Sequence, residues 1–147
     1  MKVIALKGEK DSGKSTTLKE VYKILKAAGG EPELYCFKDL KGNSKDLRDV
    51  INFAGKKIGI VTQGDHPKGE YSVENHLKGL YDAHCDFAIC ACTTGKDIEN
   101  TILKYYPEAT FIHKTKNEKV SLQQIENTLK AMEITQILKL WLLNATK

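Results

Sequence analysis

The sequence predicts an α/β fold in which a mainly parallel, five-stranded sheet carries helices on both faces. Short apolar runs alternate with segments of helical periodicity along the chain, which is typical of parallel strands joined by crossover helices. The run 87–92 is apolar at nearly every position, as a central strand covered on both faces should be. A length of 147 residues fits one domain, 1–147.

Each predicted element rests on a local pattern. The first helix, 16–28, ends at Gly29-Gly30, and Ser72 is a helix cap followed by apolar residues at helical spacing. Further helices are predicted from a cap at Asn43 or Ser44 to Gly55, and from Thr94 to Tyr105. The predicted strands are 3–6, 34–37, 58–61, 87–92 and 109–112.

The last helix is predicted to begin at Ser121 and has an unusual apolar content. Its first turns are predicted to place one set of side chains on the core: Leu122, Ile125, Leu129 and Met132. Beyond residue 134, apolar residues surround most of the helix. Two interpretations stay open, a terminal helix laid over the core and a helix that buries part of its surface in a homodimer.

The stretch 8–15 fits the pattern G-x-x-x-x-G-K-[ST] at every defined position, and it lies between a predicted strand and a predicted helix. In that context the backbone N–H groups of the loop cradle phosphate oxygens. We therefore predict that the loop binds a nucleoside triphosphate, with Lys14 on the outer phosphates and Ser15 helping to hold Mg²⁺. The predicted binding residues are Gly8, Lys10, Asp11, Ser12, Gly13, Lys14, Ser15 and Thr16.

Ligands in such sheets bind at the carboxyl ends of the strands, so residues that follow strands are the other candidates. Asp65 is the predicted second Mg²⁺ ligand, although an aspartate after a glycine is equally expected in a turn. Asp39, after the second predicted strand, is the candidate base if phosphate is transferred to an acceptor, with a surface turn as its alternative. Gln63 and His66 could orient water or act as a base, but ordinary polar loop residues are the better interpretation.

Composition limits the remaining functions. The net charge of +4 is mild and the lysines are spread along the chain, so binding to nucleic acid is not expected. No stretch is long enough to cross a membrane, no signal peptide is evident, and unpaired cysteines suit a cytoplasmic protein. Arg48 is the single arginine, which restricts how a phosphoryl-transfer site could be built.

In this loop the sequence resembles the P-loop NTPase superfamily. The run 8–18, GEKDSGKSTTL, is similar in particular to the accessory GTP-binding proteins of molybdopterin-guanine dinucleotide biosynthesis. This likeness covers only that run, and the family's strand-end acid and downstream glycine have no clean counterpart. The guanine-reading sequence Asn-Lys-x-Asp is absent from the predicted base loop 113–117, which is expected to be solvated, so ATP is expected ahead of GTP.

The leading functional prediction is a Mg²⁺-dependent NTP-binding enzyme, an ATPase or a small phosphotransferase. Slow hydrolysis is placed slightly above transfer, because no arginine-bearing lid is evident. The alternative is a nucleotide-dependent switch or accessory protein that acts through a partner or a homodimer.

Overall fold

A computed structural model describes residues 1–33 and 46–145 together with the backbone of residues 38–39. The predicted strand 34–37 and the predicted caps Asn43 and Ser44 fall outside these residues. The described elements are β1 (Lys2–Gly8), α1 (Lys14–Ala27), β2 (Glu31–Pro32), β3 (Lys38–Asp39), β4 (Leu47–Phe53), β5 (Lys56–Val61), α2 (Val73–Asp82), β6 (Phe87–Thr93), α3 (Ile98–Tyr105), β7 (Thr110–Lys114) and α4 (Val120–Ala145).

The sheet is mixed, with strand order β2-β4-β5-β6-β1-β7 and β3 also paired to β4. Strands β5, β6, β1 and β7 are parallel to one another. Strand β4 runs antiparallel to β5, and β2 and β3 run antiparallel to β4. The α/β class and the mainly parallel sheet are confirmed, but the expected number of five strands is wrong, because antiparallel strands extend one edge of the sheet.

The difference arises in the segment predicted as a helix up to Gly55. From Leu47 onward this segment forms β4, which turns back into β5 through Ala54 and Gly55, both at positive φ (51° and 79°). Positive φ at two successive residues is the conformation of a tight hairpin turn. Leu47, Val50 and Ile51 matched a helical spacing, yet Asp49 between them is fully buried in the strand and accepts a 2.7 Å hydrogen bond from the Tyr22 hydroxyl.

Helices cover both faces of the sheet, as predicted. Helices α1 and α4 pack on one face in a core that includes Leu18, Val21, Ile134 and Leu138. Helices α2 and α3 pack on the other face. Ser72 caps α2, because its hydroxyl accepts a 3.1 Å hydrogen bond from the Asn75 N–H. Helix α3 begins later than predicted, after Asp97 and not at Thr94.

The orientation predicted for the first turns of α4 is wrong. Leu122, Ile125, Leu129 and Met132 are exposed, at 49–58 %. The side chains that α4 buries against the core are Asn127, Ala131, Ile134, Leu138 and Leu142. Two apolar rows run along this helix, and the sequence pattern does not tell which of them faces the sheet.

Candidate functional site

The glycine-rich loop 8–15 connects the carboxyl end of β1 to the start of α1. Strand β1 lies between β6 and β7, so the loop emerges at the middle of the parallel part of the sheet. Gly8 sits where a Cβ would lie 2.7 Å from the Lys114 carbonyl oxygen and 2.7 Å from the Ser12 hydroxyl. Close backbone approach therefore requires glycine at this position.

Lys14 folds back over the loop. Its ammonium group donates to the Glu9 carbonyl oxygen at 2.6 Å and lies 3.5 Å from the Ser12 hydroxyl. The residue is only 7 % exposed, and burial lowers its pKa, although the nearby Asp65 and Asp11 act to raise it. Because the Lys14 ammonium is largely removed from water, its positive charge is poorly solvated, and an anionic ligand would stabilise it.

A cavity of about 390 Å³ opens beside the loop. Every predicted loop residue from 10 to 16 lines it, and residues from three other segments complete the wall. The full lining is Lys10, Asp11, Ser12, Gly13, Lys14, Ser15, Thr16, Asp46, Thr62, Gly64, Asp65, Ala91 and Thr93. The first N–H groups of α1 have no partner within the helix and lie at this cavity, so it carries partial positive charge.

Asp46 is a site residue that the sequence interpretation missed. Its Oδ1 accepts a hydrogen bond from the Ser15 hydroxyl at 3.1 Å and another from the Thr62 hydroxyl at 2.8 Å. Thr62 in turn accepts the Leu47 N–H at 2.9 Å, which ties the start of β4 to the end of β5. Asp46 is 5 % exposed. The sequence pattern does not indicate Asp46, because this residue precedes a strand. Only the antiparallel pairing of β4 with β5 places it beside the carboxyl end of β5.

Asp65, the predicted acid, also lines the cavity but lies at its rim. Its side chain is 48 % exposed and lies 3.6 Å from His66 Nε2. Gly64 extends the pairing with β6 beyond the end of β5, because its carbonyl oxygen accepts the Thr93 N–H at 2.9 Å. The next residue, Asp65, therefore lies at the rim of the cavity. A Cβ on Gly64 would collide with the Ala91 carbonyl group. The two acids thus differ in place: Asp46 contacts Ser15, and Asp65 faces solvent.

The Gln63 and Arg48 side chains do not line the cavity, and both contact His76 on α2. The Arg48 guanidinium lies 3.3 Å from His76 Nδ1, and His76 Nε2 lies 3.0 Å from the Gln63 side-chain oxygen. Arginine can only donate, so His76 Nδ1 is the acceptor in this contact and Nε2–H donates to the Gln63 oxygen. Among the described cavity-lining residues there is accordingly no arginine.

The described backbone of Asp39 pairs with Leu47 at the first position of β4. Asp39 is therefore one register step from Asp46, at the outer part of the sheet on the cavity side. Its side chain lies outside what is described, so its predicted role as a base stays a prediction.

The first turns of α4 hold the loop from behind. Gln123 Nε2 donates to the Ser12 carbonyl oxygen and lies 3.1 Å from Asn127 Oδ1. Gly13 has φ of 91°, and a Cβ on it would collide with Asn127. These contacts fix the loop to a helix more than a hundred residues further along the chain.

The segment 113–117 was expected to be a solvated loop, but its first two residues belong to β7 and one of them is buried. The Lys114 ammonium is buried and lies 3.0 Å from Glu126 Oε1. Glu126 also accepts from the Thr115 N–H at 2.7 Å and from the Asn117 amide at 3.0 Å. Burial acts to raise the pKa of Glu126, but these hydrogen bonds outweigh it and the pKa is lowered.

No protein-family model matches this sequence, and no solved structure matches this protein. The functional interpretation therefore depends on the residues of the cavity themselves. Over the part of the chain that the structure describes, none of the helices has the length and apolarity needed to cross a membrane.

Proposed function

We propose that this protein is a Mg²⁺-dependent nucleoside triphosphate-binding protein of the P-loop type, with slow NTPase activity ahead of small-molecule phosphotransfer. ATP is the first candidate nucleotide and GTP the second. The observation that carries the proposal is the Ser15–Asp46 hydrogen bond at 3.1 Å inside the cavity of the glycine-rich loop. It joins the hydroxyl of the motif to a buried carboxylate, which the motif alone does not supply.

The donor set suits Mg²⁺. A carboxylate and a hydroxyl are the hard oxygen ligands that Mg²⁺ takes, alongside phosphate oxygens. Ser15 and Asp46 would hold the ion, and Asp65 at the rim is the second choice for an acid. An ion held there would neutralise charge on the phosphate oxygens.

The protein's own groups supply the rest of the site. Lys14 would exchange its bond to the Glu9 carbonyl for the outer phosphates, and the first N–H groups of α1 would bind phosphate oxygens. Arg48, paired with His76, is not positioned to neutralise a transferring phosphoryl group. Because arginine normally contributes a large part of that stabilisation, slow hydrolysis is preferred over efficient transfer.

The proposal is tested by thermal unfolding with Mg²⁺ and each of ATP, ADP, GTP and GDP. A ligand at a hundred times its dissociation constant stabilises the fold by about 2.7 kcal/mol, a shift of several degrees at this size. Lys14→Ala should abolish the shift, whereas Lys23→Ala, on an exposed position of the same helix, should keep it. Phosphate release then separates hydrolysis from mere binding. No shift with any nucleotide would overturn the proposal.

A nucleotide-dependent switch is the second candidate. The observation that favours it is the contact of Gln123 and Asn127 on α4 with Ser12 and Gly13 in the loop. A ligand that changes the loop can therefore act on α4 and on whatever packs against it, including a second copy of the chain. This candidate predicts tight nucleotide binding with phosphate release at background, and altered association of the protein.

A further inference from the structure

The side-chain amide of Gln123 on α4 contacts three groups at once. Its Oε1 accepts the Asn117 N–H at 2.8 Å, while its Nε2 donates to the Ser12 carbonyl oxygen and lies 3.1 Å from Asn127 Oδ1. A backbone N–H can only donate and a carbonyl oxygen can only accept, so these partners determine which end of the amide is the oxygen and which is the nitrogen. The Gln123 amide is therefore held in one orientation before any ligand arrives.

The bond from Gln123 to Ser12 determines the direction of the next N–H group in the loop. The Ser12–Gly13 peptide bond is trans. In a planar trans peptide, the C=O and the N–H that follows it point in opposite directions. Because the Ser12 carbonyl points at α4, the Gly13 N–H points away from α4. Gly13 lines the cavity, whereas Gln123 and Asn127 do not, so this N–H lies on the cavity side of the loop.

The Gly13 N–H is available for a ligand. Among the residues that the structure describes, no acceptor forms a hydrogen bond with it. It lies directly before Lys14, the first residue of α1, and so beside the unpaired N–H groups that begin this helix. Several N–H groups at the start of a helix together favour an anionic oxygen.

For the nucleotide site proposed above, we propose that Gln123 is a positioning residue. By holding the Ser12 carbonyl against α4, Gln123 directs the Gly13 N–H at a phosphate oxygen of the bound nucleotide. Gln123 lies 111 residues from Ser12 in the sequence, so the glycine-rich motif does not contain this contribution. Without the Gln123 amide, the 12–13 peptide is free to rotate and to turn its carbonyl oxygen toward the cavity. That rotation removes a donor and places a partial negative charge beside the phosphates.

Isothermal titration calorimetry with Mg²⁺-ATP and Mg²⁺-GTP tests the role of Gln123. Gln123→Met keeps a side chain of similar length and removes its hydrogen bonds. The dissociation constant of the nucleotide that the wild type binds should rise about three- to tenfold, the usual effect of losing one neutral hydrogen bond. Gln124→Met is the matched control, because Gln124 is the next residue of α4 and is exposed, and it should bind as the wild type does. Circular dichroism reports whether each variant is folded, and Gln123→Ala replaces Gln123→Met if the latter is not.

A second measurement separates positioning from a contribution to stability alone. In protein labelled with ¹⁵N-glycine, the Gly13 amide signal should move when nucleotide is added to the wild type. It should move less in Gln123→Met, even when the variant is saturated. A contact that only stabilises the fold would lower the melting temperature without nucleotide, and would leave both the dissociation constant and the Gly13 shift unchanged.

Two results would overturn the role of Gln123, and they differ in what they imply for the site. A wild type that binds neither nucleotide would overturn the proposed function together with this inference. A wild type that binds nucleotide, with a folded Gln123 variant that binds equally tightly and shows the same Gly13 shift, would overturn this inference alone.

Discussion

The Ser15 hydroxyl donates a 3.1 Å hydrogen bond to the Asp46 carboxylate, across 31 residues of sequence. This bond joins the end of the glycine-rich loop to the residue that precedes β4. A second hydroxyl, from Thr62, donates to the same oxygen at 2.8 Å. The carboxylate is therefore held in place beside the loop before any ligand arrives, which favours binding because little must be reorganised.

Replacing Asp46 with asparagine should remove Mg²⁺-dependent nucleotide binding and leave the fold intact. Asparagine keeps an oxygen that accepts from Ser15 and Thr62, but it lacks the charge that holds a divalent cation. The dissociation constant measured with Mg²⁺ should rise about tenfold or more, equal to roughly 1.4 kcal/mol. The value measured in EDTA should stay unchanged. Asp65→Asn is the control and should have the smaller effect; the reverse order would identify Asp65 as the metal ligand.

Replacing Gly13 with alanine should destabilise the protein more than replacing Gly29. Both residues have positive φ, 91° and 102°, so both substitutions carry the same backbone strain of about 1 kcal/mol or more. Only at Gly13 does the new Cβ also collide with Asn127, whereas nothing lies within 4 Å of a Cβ at Gly29. Denaturant unfolding of the two variants measures the difference. Gln123 Nε2 also lies 2.8 Å from the added Cβ, so Asn127→Ala combined with Gly13→Ala should recover only part of the difference. No recovery would contradict the collision with Asn127 as its cause.

Replacing Glu126 with glutamine should destabilise the protein at pH 7 and have less effect in acid. The pKa of Glu126 is lowered in the folded chain, so its carboxylate contributes stability above its unfolded pKa, near 4.5. That contribution is lost as the pH falls through the lowered folded pKa. We expect a loss of about 1–3 kcal/mol at pH 7, because the buried Lys114 loses its charged partner. Melting temperatures at pH 7 and below pH 4 check this, and a difference that grows in acid would contradict it.

Nucleotide should change the strength of self-association. Gln123 contacts Ser12 in the loop and lies between Leu122 and Ile125, two exposed apolar residues of α4 through which a second copy could pack. Saturation with Mg²⁺-ATP should shift the dimer dissociation constant at least about fivefold, and by linkage the dimer should bind nucleotide differently to the same extent. Sedimentation with and without nucleotide measures the shift. Gln123→Ala should remove the shift while the dimer persists; equal constants for the wild type would show that the two surfaces are independent.

Local patterns in the sequence predicted the parallel part of the fold. Three segments have a hydrophobic pattern that fits one type of secondary structure: the strand before the glycine-rich loop, the helix after it and the apolar run 87–92. The segment from Leu47 to Ala54 does not, because its apolar residues fit a helix as well as a half-buried strand. What decides between them is the buried Asp49–Tyr22 hydrogen bond and the Ala54-Gly55 turn, and the first is a tertiary contact.

The same limit explains the candidate site. The loop residues 8–16 could be found from the motif, since its glycines, lysine and serine stand at fixed spacing. Asp46 could not, because it is brought to Ser15 by strand pairing and by the Thr62 hydroxyl. For helix α4, the sequence predicted the helix but not the face that it buries. Its two apolar rows are both visible in the sequence, but only packing against the sheet determines which row is buried.

The position of β1 has a consequence for how the chain folds as it is synthesised. The first strand is flanked by β6 and β7, so both of its neighbours leave the ribosome long after it does. The β4–β5 hairpin can pair early, but the parallel centre of the sheet must wait for residues 87–114. Residues 123 and 127, which fix the glycine-rich loop, emerge later still. A nascent chain that lacks α4 would leave one face of the sheet partly uncovered, and the contacts that hold the glycine-rich loop would form only after residue 127 has emerged.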